Sequence, residues 1–181
     1  RSGRVTGVQT CALPISSPNQ LKLKEVLKMK KFISVIPSRY ASSRFPGKPL
    51  AMILGKPMIQ WVYERVKSVN EISEVYIATD DRRIFDTVEG FGGKAIMTGE
   101  CACGSDRVYQ ACKDIDCDVI LNIQGDEPMI KVEMIRDLIS AFNDADVYMA
   151  TLKKEITEEK DINNPNIAKL ITDSNNKACS T

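Results

Sequence analysis

With 181 residues, of which 43% are hydrophobic and 27% charged, the chain is long enough for one α/β domain with a sizeable core and too short for two ordinary ones. Lys and Arg total 25 against 24 for Asp and Glu, a net charge of +1 that predicts no nucleic-acid partner and leaves any phosphate chemistry to local clusters of cations. Histidine is absent, which excludes histidine acid–base catalysis, His-ligated zinc and Ser–His–Asp triads, and no apolar run approaches the length of a membrane span.

The stretch RSGRVTGVQTCALPIS (Arg1 to Ser16) shows neither a helical nor a strand period and resembles the translated read-through of a sequencing adapter. Its apolar cluster, Cys11 to Ile15, is too short for a signal-peptide core and is interrupted by Pro14. Met29 is a candidate native start, so residues 1–28 are expected to be an artefactual or disordered extension and residues 29–181 to carry the fold.

From Lys31 the pattern becomes regular. KFISVIP (Lys31 to Pro37) is a short apolar run, rich in β-branched residues and ended by proline, which predicts a buried strand. PMIQWVYERVKSV (Pro57 to Val69) sets Ile59, Val62, Tyr63 and Val66 on one helical face with Pro57 at the first turn. EVYIAT is a second strand, and DRRIFDTVEGFGG a helix capped by Asp80 or Asp81 and stopped at its glycines. KAIMT is a third strand, and SDRVYQACKDI a helix with Ser105 as its expected cap.

DVILNIQGDEP (Asp118 to Pro128) is the clearest buried strand and turns at Gly125. KVEMIRDLISAF (Lys131 to Phe142) is an amphipathic helix with Val132, Ile135, Leu138 and Ile139 on one face. VYMATLKK and NIAKLIT read as further strands. Alternating strands and helices predict an α/β fold with a mostly parallel, doubly wound, Rossmann-like sheet covered on both faces. Ligands of such sheets sit beyond the carboxyl ends of the strands. Chemistry is therefore expected in the turns after Pro37, Thr79 and Ile123.

The first of these turns, IPSRYASSRFPGKPL (Ile36 to Leu50), interleaves Arg39, Arg44 and Lys48 with Ser38, Ser42, Ser43 and Gly47. Cations that neutralise charge, among small residues that let backbone N–H groups approach oxygens, suit a triphosphate. The loop has neither the Walker frame nor the dinucleotide glycine fingerprint. At the end of the best strand, QGDEP places Asp126 where a divalent ion could bind, since Mg²⁺ favours one or two carboxylates plus substrate oxygens and water. Glu127 reads as a charge at a helix N-terminus rather than a ligand. Gln124 is a candidate contact for a second substrate. Asp80 either caps the following helix or touches the nucleotide.

The loop IPSRYASSRFPGKPL resembles the signature of the 3-deoxy-manno-octulosonate cytidylyltransferases, the CMP-KDO synthetases, with Ser38 in place of the usual alanine and Phe45 in place of the usual leucine. GKPMIQWVYER, ATD (Ala78 to Asp80), GSDR (Gly104 to Arg107), NIQGDEPMI (Asn122 to Ile130) and NPN (Asn164 to Asn166) extend the resemblance, in order, from Lys31 to about Asp173. It implies a partial cytidylyltransferase domain over 29–181, of the nucleotide-diphospho-sugar transferase type, acting in the cytoplasm in lipopolysaccharide synthesis. The substrates implied are CTP and a sugar acid, the cofactor is Mg²⁺ on Asp126, and the full-length parent is a homodimer.

Nucleotide contacts are expected from Pro37, Ser38, Arg39, Ser43, Arg44, Lys48, Asp80 and Arg107, a sugar-acid contact from Gln124, and catalysis from Arg39, Arg44, Lys48 and Asp126. Members of the family continue well past Thr181 and carry there a second Asp ligand, much of the sugar pocket and the dimer contacts. Cys101 and Cys103 stand where the family has histidine and serine. Their spacing to Cys112 and Cys117 matches no common zinc knuckle, so these four, with Cys11 and Cys179, are expected to be free intracellular thiols. The alternatives are activation of another sugar acid, such as an N-acylneuraminate or an amino-substituted octulosonate, and an inactive truncated nucleotide-binding fragment.

Overall fold

The computed structural model describes residues 4–14, as backbone alone, and residues 30–41 and 45–178. The chain opens with strands β1 (Arg4–Pro14) and β2 (Phe32–Ser38), followed by a small hairpin of β3 (Met52–Ile53) and β4 (Lys56–Pro57). Helix α1 (Met58–Lys67), β5 (Ile72–Thr79), α2 (Arg82–Gly90), β6 (Ala95–Met97) and α3 (Gly104–Cys112) come next. The rest is β7 (Val119–Asn122), α4 (Val132–Ser140), β8 (Ala150–Glu155), the single turn α5 (Glu159–Ile162) and β9 (Lys169–Ile171).

The apolar run of β2 is a buried central strand because it has neighbours on both sides. It pairs in parallel with β5 and with β7, and β5 pairs in parallel with β6. The sheet order is β6-β5-β2-β7-β1-β8, with β9 also on β1. Strand β1 is antiparallel to β7, β8 and β9, so those three run in one direction and β1 alone is reversed. The sheet is thus mostly parallel, as the alternation of strands and helices predicts.

Successive side chains on a strand face opposite ways, and both faces here are apolar. Ile36, Ile77 and Leu121 meet Ile59, Val62, Tyr63 and Val66 of α1 and Ile135, Leu138 and Ile139 of α4 on one side. Ile33, Val35, Ala78 and Ile120 meet Val108, Ala111 and Cys112 of α3 on the other. No helix among the described residues is long and apolar enough to cross a membrane.

The starts of α1 and α3, and the strand over residues 4–14, differ from expectation. Pro57 is the N-cap of α1, one residue before its first turn. Of the two caps expected for α2, Asp81 is the one used, its side chain accepting from the Arg83 N–H. Helix α3 is capped by Cys103, whose Sγ accepts from the Asp106 N–H at 3.4 Å, and Ser105 already lies inside the first turn. Strand β1 falls within a stretch that has no strand period. Its ladder is made of backbone groups donated to β7 on one side and β8 on the other, and backbone pairing does not require side-chain alternation. Residues 1–3 and 15–28 of the same extension lie outside the described residues.

Leu121 has no solvent exposure in the middle of the sheet. Leu121→Ala is expected to destabilise the fold by about 2–5 kcal/mol, read as a lower urea midpoint by circular dichroism.

Candidate active site

Parallel neighbours end at the same edge of a sheet, and at that edge the chain leaving β2 and β7 walls a cavity of about 640 Å³. Pro37, Ser38, Arg39 and Ala41 line it directly after β2, and Phe45, Lys48 and Pro49 line it from the returning loop. Met58 closes it at the start of α1, and Gln124, Gly125 and Asp126 form the wall after β7. The two walls meet closely. A Cβ on Gly125 would lie 3.1 Å from Ile59 Cδ1 and 3.2 Å from the Pro37 carbonyl, so only glycine fits without displacement.

The loop after β2 folds back sharply at Gly47, whose φ of 70° is left-handed and favours glycine. A Cβ there would sit 2.9 Å from the Tyr40 ring, and the Gly47 N–H donates to the Tyr40 carbonyl at 2.8 Å. The Tyr40 ring lies under the Arg83 guanidinium, 3.3 Å from its centroid, and Arg83 is held by both oxygens of Asp81. That bracing leads the chain directly into Lys48. Its Nζ donates to Asp126 Oδ2 at 2.7 Å across 78 residues of sequence. The pair is open to solvent, with side chains 39% and 52% exposed. Such pairs contribute about 0–1 kcal/mol, so a phosphate or a metal ion can part them at little cost.

Arg39 Nη2 donates to the Cys101 carbonyl at 2.7 Å; the guanidinium has more donors than one carbonyl can take. Ser38 is almost fully buried, and its Oγ has no hydrogen-bond partner among the described residues. Gln124 Nε2 donates to Asn122 Oδ1 at 3.4 Å. Pro37, Ser38, Arg39, Lys48, Gln124 and Asp126 are therefore brought together. Ser43 and Arg44 lie outside the described residues.

Two expected residues are placed elsewhere. Arg107 has no solvent exposure and bonds to the Asp80 carboxylate and the Thr98 hydroxyl; neither Arg107 nor Asp80 lines the cavity. A fully buried guanidinium committed to that pair is not presented to a nucleotide, so Arg107 ties the end of β5 to α3 instead. Glu127 does not sit at a helix N-terminus either, because the first-turn acid of α4 is Glu133. Burial, and then the charge of Asp126, raises the Glu127 pKa above the ordinary glutamate value. The Asn164 to Asn166 segment is a loop closed on itself by an Asn166 N–H to Asn164 Oδ1 bond.

The sequence reading missed Ala41, Pro49 and Met58 as cavity residues, and the Cys101 carbonyl as the partner of Arg39. Phe45 was noticed only as a departure from the usual leucine. A signal existed for Phe45, Ala41 and Pro49, which lie in the quoted loop. Met58 lies in the quoted GKPMIQWVYER segment, and a backbone carbonyl has no residue type to read.

Among the described residues no three His, Cys, Asp or Glu side chains gather to hold a metal. The donor set is one carboxylate, and the Lys48 ammonium stands on it as a cation would. Mg²⁺ takes few protein ligands and completes its shell with substrate oxygens and water, so Asp126 fits it. The cysteines make no such site. Cys101 is half-buried, Cys103 exposed, and Cys112 and Cys117 buried. Burial raises the thiol pKa of both buried cysteines, that of Cys117 to about 11. The side chain of Cys11 and all of Cys179 lie outside the described residues.

Comparison with known proteins places this cavity in context. A family model described as cytidylyltransferase matches residues 33–180. The chain is 49% identical over 155 residues to the 3-deoxy-manno-octulosonate cytidylyltransferase of Thermodesulfovibrio yellowstonii, covering 81% of this chain and 61% of that protein. It is 50% identical over 145 residues to the 8-amino-3,8-dideoxy-manno-octulosonate cytidylyltransferase of Shewanella piezotolerans, covering 77% of this chain and 59% of that protein. The chain thus spans about three fifths of the length of these curated relatives. Among solved structures, a CMP:2-keto-3-deoxy-manno-octonic acid synthetase complexed with CTP matches at 47% identity and a TM-score of 0.63, over 65% of this chain and 49% of that one.

Asp80→Ala leaves the buried Arg107 charge unpaired and is expected to cost about 3–5 kcal/mol, whereas Asp81→Ala removes a cap worth about 1 kcal/mol; urea denaturation ranks the two. Iodoacetamide at pH 8 is expected to label Cys103 first, with Cys112 and Cys117 protected until the protein unfolds, because burial keeps both as protonated thiols. Peptide mass spectrometry reads the order.

Proposed function

The chain belongs to the cytidylyltransferase family, and from that premise we propose that it couples CTP to 3-deoxy-manno-octulosonate, giving the CMP-sugar and pyrophosphate. One observation carries the proposal: the loop cation Lys48 and the strand-end carboxylate Asp126 meet at 2.7 Å on one cavity. That is the pairing of positive and negative groups that a nucleoside triphosphate and its metal require.

In this reading the anomeric hydroxyl oxygen attacks the α-phosphorus of CTP, the bond from that phosphorus to the pyrophosphate oxygen breaks, and the hydroxyl proton is released. Catalysis is mainly positioning and charge stabilisation. Arg39 presents a planar fork to phosphate oxygens, and Lys48 leaves Asp126 to serve as a point charge on the same group. Arg44 and Ser43 belong to the same loop and are proposed to contribute there, with Pro37 and Ser38 forming the floor. The orphaned Ser38 hydroxyl has a hydrogen bond to offer. Gln124 faces the cavity beside Asp126 and is the proposed contact to the sugar acid.

Asp126 would hold Mg²⁺, together with substrate oxygens and water. When bound, Mg²⁺ supplies neutralisation of phosphate charge and eases loss of the proton from the attacking hydroxyl, in a chain without histidine. The same reading places the activity in the cytoplasm, in lipopolysaccharide synthesis, with a homodimer as the assembly.

A second substrate has a specific observation in its favour, because relatives named for the 8-amino sugar acid match this chain as well as those named for the hydroxyl form. Pyrophosphate release measured with each sugar acid, and with N-acylneuraminate, separates the substrates. Asp126→Asn is expected to abolish turnover while retaining part of the CTP binding seen by calorimetry. Unchanged turnover in that variant ends the proposal. CTP binding without pyrophosphate release from any sugar acid identifies a nucleotide-binding module instead.

A further inference from the structure

The segment joining β6 to α3 reaches Arg39 through one atom, the Cys101 carbonyl. The position of that carbonyl is set from behind. Gln110, an exposed residue of α3, accepts with its Oε1 from the Gly99 N–H at 2.6 Å and lies 3.6 Å from the Cys101 thiol, whose one hydrogen is shared between it and the Gly99 carbonyl at 3.5 Å. Upstream, the Thr98 N–H donates to the Thr79 carbonyl at 2.8 Å. Downstream, Cys103 caps α3. Between these two fixed ends, Gln110 holds the intervening turn from α3, and the Cys101 thiol bonds within the turn itself.

Gln110 does not line the catalytic cavity. It lines a separate depression of about 340 Å³ on the other side of the segment, with Cys101 and Lys113. Its influence on the nucleotide therefore runs through the backbone. We propose that Gln110 is a positioning residue that holds the Cys101 carbonyl against Arg39 and so aims the guanidinium at the phosphates of CTP. An arginine held in one rotamer before the ligand arrives loses less side-chain freedom on binding. This inference rests on the reading of Arg39 as a triphosphate ligand.

The test is a double-mutant cycle on the full chain, with CTP affinity read by calorimetry and folding by urea denaturation. Gln110→Ala is expected to weaken CTP binding about fivefold, the scale of one neutral hydrogen bond, without changing the urea midpoint enough to unfold the protein. Gln110→Glu keeps the acceptor oxygen and is expected to restore affinity. Arg39→Ala weakens binding further, and in that background Gln110→Ala is expected to add nothing. A fivefold loss that persists without Arg39 overturns the inference, as does full affinity in Gln110→Ala while Arg39→Ala binds poorly. If Arg39→Ala binds CTP as well as the parent chain, the reading of the site itself fails and the inference falls with it.

Discussion

The parallel pairing of β2 with β7 is the constraint from which the site follows. Val35 sits opposite Asn122, and past the strand ends the two segments stay together, a Cβ on Gly125 falling 3.2 Å from the Pro37 carbonyl. Two segments that are remote in sequence thereby leave the sheet side by side at its carboxyl edge, where α/β sheets hold their ligands. Slipping the pairing by one residue would turn Leu121 from the core that contains α1 and α4 to the opposite face. Both faces of β2 and β7 are packed against helices, and the packing that stabilises the fold therefore also keeps the two segments that wall the cavity side by side.

Two ion pairs sit near that edge and differ in what burial does to them. Arg107 and Asp80 bond where the guanidinium has no exposure, so the pair resists separation and joins the end of β5 to α3. Lys48 and Asp126 bond in the open, so the pair contributes little to folding and exchanges partners readily. Charge alone does not distinguish a fastener from a ligand-binding group; desolvation does.

Much of this was legible in the amino acids. Continuous β-branched runs announced β2 and β7, and the spacing of Ile59, Val62, Tyr63 and Val66 announced the buried face of α1. Cations among small residues after β2, and a carboxylate after β7, marked both walls of the cavity. What escaped shares a cause: it depends on environment rather than residue type. Arg107 reads as a phosphate-binding arginine until its burial is known. Cys103 is an unusual cap that geometry selects over Ser105, and the Cys101 carbonyl is invisible to any reading of side chains. Strand β1 has no alternation to read, yet its backbone still pairs with β7 and β8. Membership of a family carries the identity of the loop motifs further than periodicity could, but it does not say which arginine is exposed.

The contact between Lys48 and Asp126 also shapes how the cleft looks to an approaching polyanion. With its ammonium already balanced by a carboxylate, the pocket carries its own counter-ion and presents a weaker field than three bare cations would. A nucleotide arriving with its divalent ion brings a matched set of charges, and two internal pairs are traded for two intermolecular ones. A nucleotide arriving without that ion finds the ammonium willing but leaves an aspartate facing phosphate. Under the proposed function, that pairing would favour the metal-loaded over the naked triphosphate before any chemistry begins.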